Sequence, residues 1–424
     1  MSLHHKKWWG FVKDPVFGYL HFTPDEKNII DTKTFQRLTR IRQLAGAEYV
    51  YPAANHTRFE HSLGVMYLAG ELSKNLEPII SSEEQSELRL AGLLHDVGHG
   101  AFSHIFETVL NKFFKINHED MTQRLIKNGE LRDIIKKAGY SPDKISKLAT
   151  GQLDQRNKMY LNQILRGTVD VDKMDYIVRD SYHTGAGYSA DVWRLIYTME
   201  IIDNNLSVSS TAVYTLEAFL LARVESFKSI YFHKTARAAQ IMIGQALVKA
   251  FEEEPFFSPN DLDEYVELND YIVWSMLKKT RSSSKIIDDL EHRRLLKSVY
   301  ENVVITKEEA MTKLFNKEQV RSSIEREIAE RARVSEENVL IDLPLVPSVP
   351  YGYSSKDEKF EVPIFNKKNS SQLESGSDVS KIIESMKGYL NIIRVYTTVE
   401  HREKVKKAAL KVLSSEPYEL RMAT

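Results

Sequence analysis

The sequence predicts a mainly α-helical protein with a short N-terminal β-hairpin and a small C-terminal α/β unit. Three observations carry that expectation. Apolar residues recur at helical spacing from about residue 24 to about residue 250. Strings of the Ser/Thr-x-x-Glu type mark helix starts inside that stretch. After about residue 300 the composition changes, and β-rich runs alternate with helical ones. At 424 residues the chain is too long for one simple core, so two domains are the default expectation. The divisions read as 1–30 for the hairpin and lead-in, 31–300 for a helical catalytic domain, and 301–424 for the α/β unit.

The elements follow in order. Trp8 to Phe22 alternates apolar and polar residues around Asp14-Pro15 and Gly18, as a hairpin does. Thr23-Pro24-Asp25-Glu26 is a capping box with Pro at the first helical position. Thr57-Arg58-Phe59-Glu60 reads as a second box, with Arg58 and His61 in the opening turns of a helix whose apolar face includes Leu63, Met66 and Leu68. Ser81 and Ser82 cap a helix that carries Leu88, Ala91, Leu93 and Leu94 and ends at His95-Asp96. Residues 160–182 form one helical pattern, and 216–251 a long amphipathic one. Thr306 to Ala332 reads as helices, Val339–Leu343 and Phe360–Phe365 as strands, and Asn366–Asp378 as a Ser-rich mobile loop. Pro363 confines the second strand to an edge or a strand end. Leu390–Thr397 reads as a strand and Glu400–Leu413 as a helix.

Composition narrows the function classes. Hydrophobic residues at 42% and charged residues at 28% are ordinary for a soluble globular protein. A net charge of −1 gives no global reason for a nucleic-acid or membrane partner. Without cysteine there are no disulfides or thiolate sites, so a metal must be held by His, Asp or Glu. The absence of cysteine fits a cytoplasmic location. Neither an apolar run of membrane-spanning length nor a signal leader is expected.

Four side chains stand out as ligands for one divalent ion: His61, the adjacent pair His95-Asp96, and Asp172. Two neutral imidazoles and two carboxylates hold a divalent cation and leave positions for water and a phosphate oxygen. Taken singly, each has a plainer reading. Asp170, Asp172, Asp175 and Asp180 together resemble a solvated acidic helix face, and a lone His61 resembles a core or surface histidine. The combination with His95-Asp96 is what points to a site. Gly98 and Gly100 end the preceding helix and bring the backbone close in a tight loop, with His99 and His104 placed at the pocket. His118, in Asn117-His118-Glu119-Asp120, reads in isolation as a helix N-terminal residue. On a helix, Asp172, Tyr176 and Arg179 share a face with Asp180 nearby, whereas Lys173 points roughly 100° away on a long stem. Gly185-Ala186-Gly187 is too short for a phosphate loop, and no Walker motif occurs.

Three blocks carry a resemblance: Arg58–Val65, His95-Asp96-Val97-Gly98-His99-Gly100-Ala101-Phe102-Ser103-His104, and Asp170–Asp180. They resemble the HD-domain superfamily, and within it the deoxynucleoside triphosphate triphosphohydrolase branch, which includes SAM-and-HD-domain enzymes and bacterial dGTPase relatives; no SAM domain is expected here. The similarity runs from about Asp14 to about residue 250. It implies a helical HD core with one metal held by His61, His95, Asp96 and Asp172. It also implies a phosphate contact from Arg58, a triphosphate contact from Lys173, and sugar contacts from Tyr176 and Asp180. Gln43-Leu44 resembles a segment lying against deoxyribose, and Arg223 and Tyr231 match positions that touch phosphates and sugar. His118 matches a proposed general acid and His104 a second histidine near the reacting phosphate. With Asp96 they form the expected catalytic set, and His99 joins the substrate contacts. Thr39 departs from the pattern, standing where a relative carries a basic residue of a nucleotide activator site, so activation by bound nucleotide is not implied.

The expected function is a metal-dependent phosphohydrolase of nucleotides, with a dNTP as substrate and deoxynucleoside and tripolyphosphate as products. The metal is one of Fe, Mn, Zn, Ni or Mg. The resemblance implies a homo-dimer or homo-tetramer. Two other readings remain at this point: an HD phosphohydrolase of nucleoside monophosphates or cyclic dinucleotides, and a non-enzymatic nucleotide- or nucleic-acid-binding regulator.

Overall fold

The hairpin forms where Asp14-Pro15 and Gly18 place it, with Gly10–Asp14 antiparallel to Gly18–Phe22 and Asp14 opposite Gly18. Gly18 sits at φ +82°, a left-handed conformation that glycine adopts without strain. Asp14 closes the turn, because its Oδ1 accepts the backbone N–H groups of Val16 and Phe17 at 2.9 and 2.8 Å. The computed structural model describes residues 8–188, 190–306, 318–343, 345–347, 362–366, 373–386 and 389–413.

Past the hairpin the fold is mainly α. Thr23 caps Pro24–Ile30 with the expected reciprocal box to Glu26. Ser81 does the same for Ser82–Leu94 through Glu84, and His95 is that helix's C-cap. Thr57 is the N-cap of Arg58–Asn75, but no box forms there, since Thr57 makes no capping bond and its hydroxyl turns to Glu60 Oε1 at 3.4 Å. The start of this helix is buried all round, from His61 through Met66, so it runs through the core rather than along its edge. Fully burying side chains such as Leu68 and Met66 stabilises by roughly 1.5–3 kcal/mol each. Its neighbour Ser82–Leu94 approaches closely at Gly92, where a Cβ would lie 3.3 Å from the Val65 carbonyl oxygen.

Several stretches differ from the sequence reading. The 160–182 pattern is two helices, Met159–Arg166 and Val171–Thr184, separated by a break at Gly167 with Asp170 as the second N-cap. The 216–251 pattern is also divided, into Val213–Ser226 and Lys234–Glu253 with a π-turn at Phe227–Tyr231 between them. Inside the helical region a hairpin appears, Met199–Ile202 paired with Asn205–Ser209. Lys297–Thr306 is a strand, so Thr306 ends a strand instead of starting a helix; the helix Glu318–Ala332 follows, and 307–317 lie outside the described residues. In place of the expected loop, Leu373–Ser375 is a strand and Gly376–Val379 a helical turn, with 367–372 outside the described residues.

The C-terminal unit is a sheet with helices on it. Tyr389–Thr397 lies antiparallel to Lys297–Thr306 on one side and to Leu340–Asp342 and Leu345–Pro347 on the other. The helices Glu318–Ala332 and Arg402–Leu413 cover it, burying Ile324, Ile328, Val395, Val405 and Val412 in a core of their own. Pro363–Phe365 leaves this unit and adds in parallel to Asn205–Ser209 of the helical body, with Pro363 as its first residue. The unit docks on the start of Lys234–Glu253. Arg237 forks onto Asp342 at 3.1 and 2.6 Å, Tyr396 donates to the Lys234 carbonyl at 2.8 Å, and Arg394 donates to the Phe232 carbonyl at 2.5 Å. Among the described residues no helix is long and apolar enough to cross a membrane.

Candidate metal centre and active site

Helix ends gather the four predicted ligands. His61 lies in the first turn of Arg58–Asn75, His95 and Asp96 at the end of Ser82–Leu94, and Asp172 in the first turn of Val171–Thr184. His61, His95 and Asp96 offer donor atoms that all lie within 4.8 Å of one another. Asp172 closes the remaining side, with its Oδ1 3.1 Å from His61 Nε2 and 3.7 Å from His95 Nε2. The two Nε2 atoms are 3.2 Å apart.

Each imidazole is held from behind. His95 Nδ1 bonds the Gly92 carbonyl at 2.8 Å, and His61 Nδ1 bonds Asp175 Oδ2 at 2.7 Å. Both partners can only accept, so each Nδ1 carries a proton and each Nε2 is the atom aimed at the cluster, bonding Asp172 as a donor when protonated and offering a lone pair when it is not. Asp175 is fixed in turn by Arg179, which donates to it at 2.9 and 2.8 Å and to Asp14 Oδ2 at 2.6 Å. Gly64 makes room, for a Cβ there would lie 1.8 Å from Asp175 Oδ1. Two inward nitrogens and two carboxylates fit a divalent cation as a donor set.

The electrostatics agree. Burial opposes charge on His61, but Asp172, Asp175 and Asp96 overcome it and push the imidazole up to about 10. Burial likewise works against ionised Asp172 and Asp96; bonds from His61 and His95 hold Asp172 well below the usual carboxylate range, and the charges of His95 and Arg58 do so for Asp96. The buried carboxylates around His61 thus favour positive charge at this spot, which a divalent cation would supply in place of the His61 proton. Arg58 is buried, donating to Asp96 Oδ2 through Nη1 and to Ser103 Oγ through Nε at 2.7 Å.

A second cluster adjoins the first. His99 lies 3.4 Å from Asp96 Oδ1 and stacks on His118 with centroids 3.9 Å apart and planes at 14°. Glu107 Oε1 accepts from His118 Nδ1 at 2.6 Å and from the exposed His104 Nδ1 at 2.8 Å. Burial would raise the Glu107 carboxyl, yet the two imidazoles hold it well below its ordinary value. Burial, with Arg58 and His118 close by, keeps His99 neutral. His118 is the first residue of His118–Lys127, behind the Asn117 cap. The glycine loop is tight as expected: Gly98 packs on that helix, where a Cβ would lie 2.1 Å from the Thr122 nitrogen. Buried Arg37 and Tyr265 pin the loop by donating to the Val97 and Gly98 carbonyls at 2.7 and 2.8 Å.

On the far side of Asp172, Tyr176 and Tyr231 meet edge to face at 6.2 Å. Burial raises the Tyr176 hydroxyl to about 12 against the pull of the adjacent Arg223. Asp180 accepts from Tyr231 Oη at 2.5 Å and from His56 Nε2 at 2.7 Å. Leu44 packs in a cluster with Ile230 and Tyr231, and Gln43 is half-buried beside it. Lys173 is engaged elsewhere: its Nζ donates to Asp170 Oδ2 at 2.5 Å and to the Gly167 carbonyl at 3.0 Å.

Sequence reasoning missed Asp175, Glu107, His56 and Arg166. Arg166 pairs with Glu119 at 2.9 Å and feels the charges of Asp172 and Asp96. Spacing held a signal for two of these: Asp175 follows Asp172 by one helical turn, and Glu107 follows His104 by three residues.

Comparison with known proteins fits this geometry. The HD domain family pattern matches residues 58–180, a span holding all four predicted ligands, and the HD associated region matches residues 190–420. The chain is 30% identical over 433 residues to the deoxynucleoside triphosphate triphosphohydrolase SAMHD1 of Bos taurus, covering 88% of this chain and 70% of that one. It is 32% identical over 320 residues to a SAMHD1 homolog of Dictyostelium discoideum, covering 70% of this chain and 61% of that protein's length. An uncharacterized Bacillus subtilis protein, YwfO, is 28% identical over 401 residues, 89% of each chain. A crystal structure of a hypothetical protein from Aquifex aeolicus superposes with TM-score 0.78 at 28% identity, covering 94% of this chain and 99% of that one. The chain belongs to the HD-domain family.

Proposed function

We infer that this chain is a metal-dependent nucleotide phosphohydrolase, and specifically a dNTP triphosphohydrolase that releases deoxynucleoside and tripolyphosphate. The observation that carries the reading is the pair of inward Nε2 atoms with Asp96 and Asp172, flanked by histidines on one side and by tyrosines, Asp180 and Arg223 on the other. His61, His95, Asp96 and Asp172 would hold the ion. A bound divalent ion supplies polarisation of a phosphoryl oxygen and a water of lowered pKa.

The chain's own groups do the rest. Arg58 and Arg223 offset phosphate charge, and positioning with charge neutralisation is most of what phosphoryl transfer requires. Water's oxygen bonds the α-phosphorus as the bond from phosphorus to the sugar 5′-oxygen breaks, and the water's proton passes to solvent, from which His118 is reprotonated for the next turnover. The departing 5′-oxygen takes a proton from His118, whose Nδ1 is engaged by Glu107 and whose Nε2 is its other proton-carrying atom. Tyr176, Tyr231, Asp180, Gln43 and Leu44 form the sugar side. The relatives named as dNTP triphosphohydrolases support this substrate class.

One observation favours a broader HD phosphohydrolase acting on monophosphates: Lys173, expected on the triphosphate, is bound to Asp170 and Gly167. The test is to incubate the purified chain with dNTPs, NTPs and NMPs, with and without Mg²⁺ or Mn²⁺. Tripolyphosphate is the expected product. Orthophosphate would establish the broader reading, and binding without product would reduce the chain to a nucleotide binder.

A further inference from the structure

His56 is a buried imidazole with a single polar role. Its Nε2 bonds Asp180 Oδ1 at 2.7 Å, and its Nδ1 has no partner among the described residues. Its ring stacks on His183 with centroids 4.4 Å apart and planes at 15°. A carboxylate only accepts, so the His56 proton sits on Nε2 and Nδ1 is a buried, unpartnered acceptor. Leaving such an atom unpaired costs stability. The bond to Asp180 is what the ring provides in return.

Asp180 is thereby gripped from two elements. His56 comes from the loop before Arg58–Asn75 and takes Oδ1; Tyr231 comes from the π-turn and takes Oδ2 at 2.5 Å. Those two donors fix the carboxylate's rotation, while about half of its roughly four acceptor positions stay open. The His56 carbonyl also accepts from the Gln43 backbone N–H at 3.0 Å, next to a bridge between Arg42 and Thr57. Gln43, like Asp180, stands on the proposed sugar side, and its Oε1 is buried without a partner. So one residue, His56, ties two polar groups of that pocket wall together. A 2′-deoxyribose esterified at its 5′-oxygen has one free hydroxyl to donate, the 3′-hydroxyl.

We propose that His56 is a positioning residue that orients Asp180 to accept the 3′-hydroxyl of the substrate sugar, so that it sets selectivity for that hydroxyl without touching the substrate. The proposal rests on the nucleotide reading of the site above. It separates His56 from the phosphate chemistry, which lies at the metal cluster and at His118.

The test compares dATP with its 2′,3′-dideoxy analogue on the full-length chain and on His56→Asn and His56→Gln. These replacements are similar in polarity, but only the glutamine amide reaches as far as the imidazole Nε2. In the Asn variant KM for dATP should rise roughly tenfold to a hundredfold, the loss of a hydrogen bond to a charged group. KM for the dideoxy analogue should stay within about twofold, kcat should change little, and Gln should recover most of the preference. A rise equal for both substrates, no rise at all, or identical behaviour of Asn and Gln overturns the proposal. If the wild-type chain hydrolyses no triphosphate, the functional reading fails on its own. The thermal shifts given by the two nucleotides then decide: a 3′-hydroxyl-dependent shift lost in Asn and kept in Gln supports the proposal, and a shift indifferent to the 3′-hydroxyl overturns it.

Discussion

Asp175→Asn should weaken metal binding tenfold to a hundredfold without removing any ligand. Asp175 Oδ2 accepts from both His61 Nδ1 and Arg179 Nε, and Oδ1 accepts from Arg179 Nη2. An asparagine has one acceptor oxygen. With that oxygen at the Oδ2 position, its NH2 faces the Arg179 Nη2 donor at about 2.8 Å and the side chain is repelled. Rotated the other way, the NH2 faces His61 Nδ1, which forces the imidazole proton onto Nε2, the nitrogen that points at Asp172 and His95. Either outcome degrades the ligand. A lost hydrogen bond to a charged group is worth about 1.5–3 kcal/mol, and loss of a partner behind a ligating histidine typically costs 10–100-fold in affinity. The two ranges agree, since tenfold is about 1.4 kcal/mol. The assay is competitive metal titration against a chelator of known affinity, with circular dichroism of the metal-free protein as the control for folding. A folded variant whose metal Kd lies within about twofold of wild type would refute the reasoning and leave Asp175 as a partner for Arg179 alone.

Other expectations follow from the same geometry. His95→Ala and Asp96→Asn should lose bound metal and hydrolysis together; full occupancy by elemental analysis in both would remove these residues from the ligand set. His118→Ala should lower kcat by roughly 10²–10⁴ with metal retained, whereas wild-type kcat would shift the proton-donor role to His104. Gly64→Ala should yield poorly soluble or metal-poor protein, because its Cβ would fall 1.8 Å from Asp175 Oδ1; normal metal content by elemental analysis would show that the helix can shift to make room. Arg223→Ala should leave the metal in place and reduce kcat/KM for a triphosphate more than for a monophosphate, and equal losses would show that Arg223 does not read the polyphosphate chain.

The gathering of the four candidate ligands was legible because their residue types, in that combination, are few and fall at helix ends. His61 and Asp172 each sit in the turn after an N-cap, and His95 where glycines stop a helix. The supporting residues were not legible for the opposite reason. Asp175 and Glu107 are single carboxylates among 59 acidic residues, and only folding shows that they are buried against imidazoles. Lys173 is expected on the triphosphate only from the family resemblance, with a long stem that could reach it. In the fold its neighbour Asp170 caps the helix through Oδ1 and captures the ammonium through Oδ2, so the cap also binds the side chain it caps. Lys297–Thr306 was missed because its apolar residues cluster in its second half, and its partner Tyr389–Thr397 lies far along the chain. Local pattern carries no signal for such a pairing. Asp170, Asp175 and Asp180, which singly looked like a solvated face, are all buried, each against a cation, an imidazole or a tyrosine hydroxyl.

The arrangement of helix ends also bears on what the site is built to hold. His61, Asp172 and His118 all lie in the first turns of their helices, so three helix N-termini, with their partial positive charge, border the two clusters. His95 lies at a C-terminus, where the partial charge is negative. A C-terminus at the imidazole cluster favours a cation there. Three N-termini around it favour an anion beside that cation, and each such interaction is worth roughly 0.3–1 kcal/mol, more where water is excluded. The hairpin is part of this construction: Asp14, which closes its turn, also holds Arg179, which holds Asp175, which holds His61. Every link in that chain is buried and charged or charge-assisted, and removing the central Arg179 would leave Asp14 without its cation and Asp175 with only His61, a cost of about 3–5 kcal/mol. The first element of the fold and the first candidate metal ligand are therefore joined by one network, and a change at Asp14 should register in metal affinity.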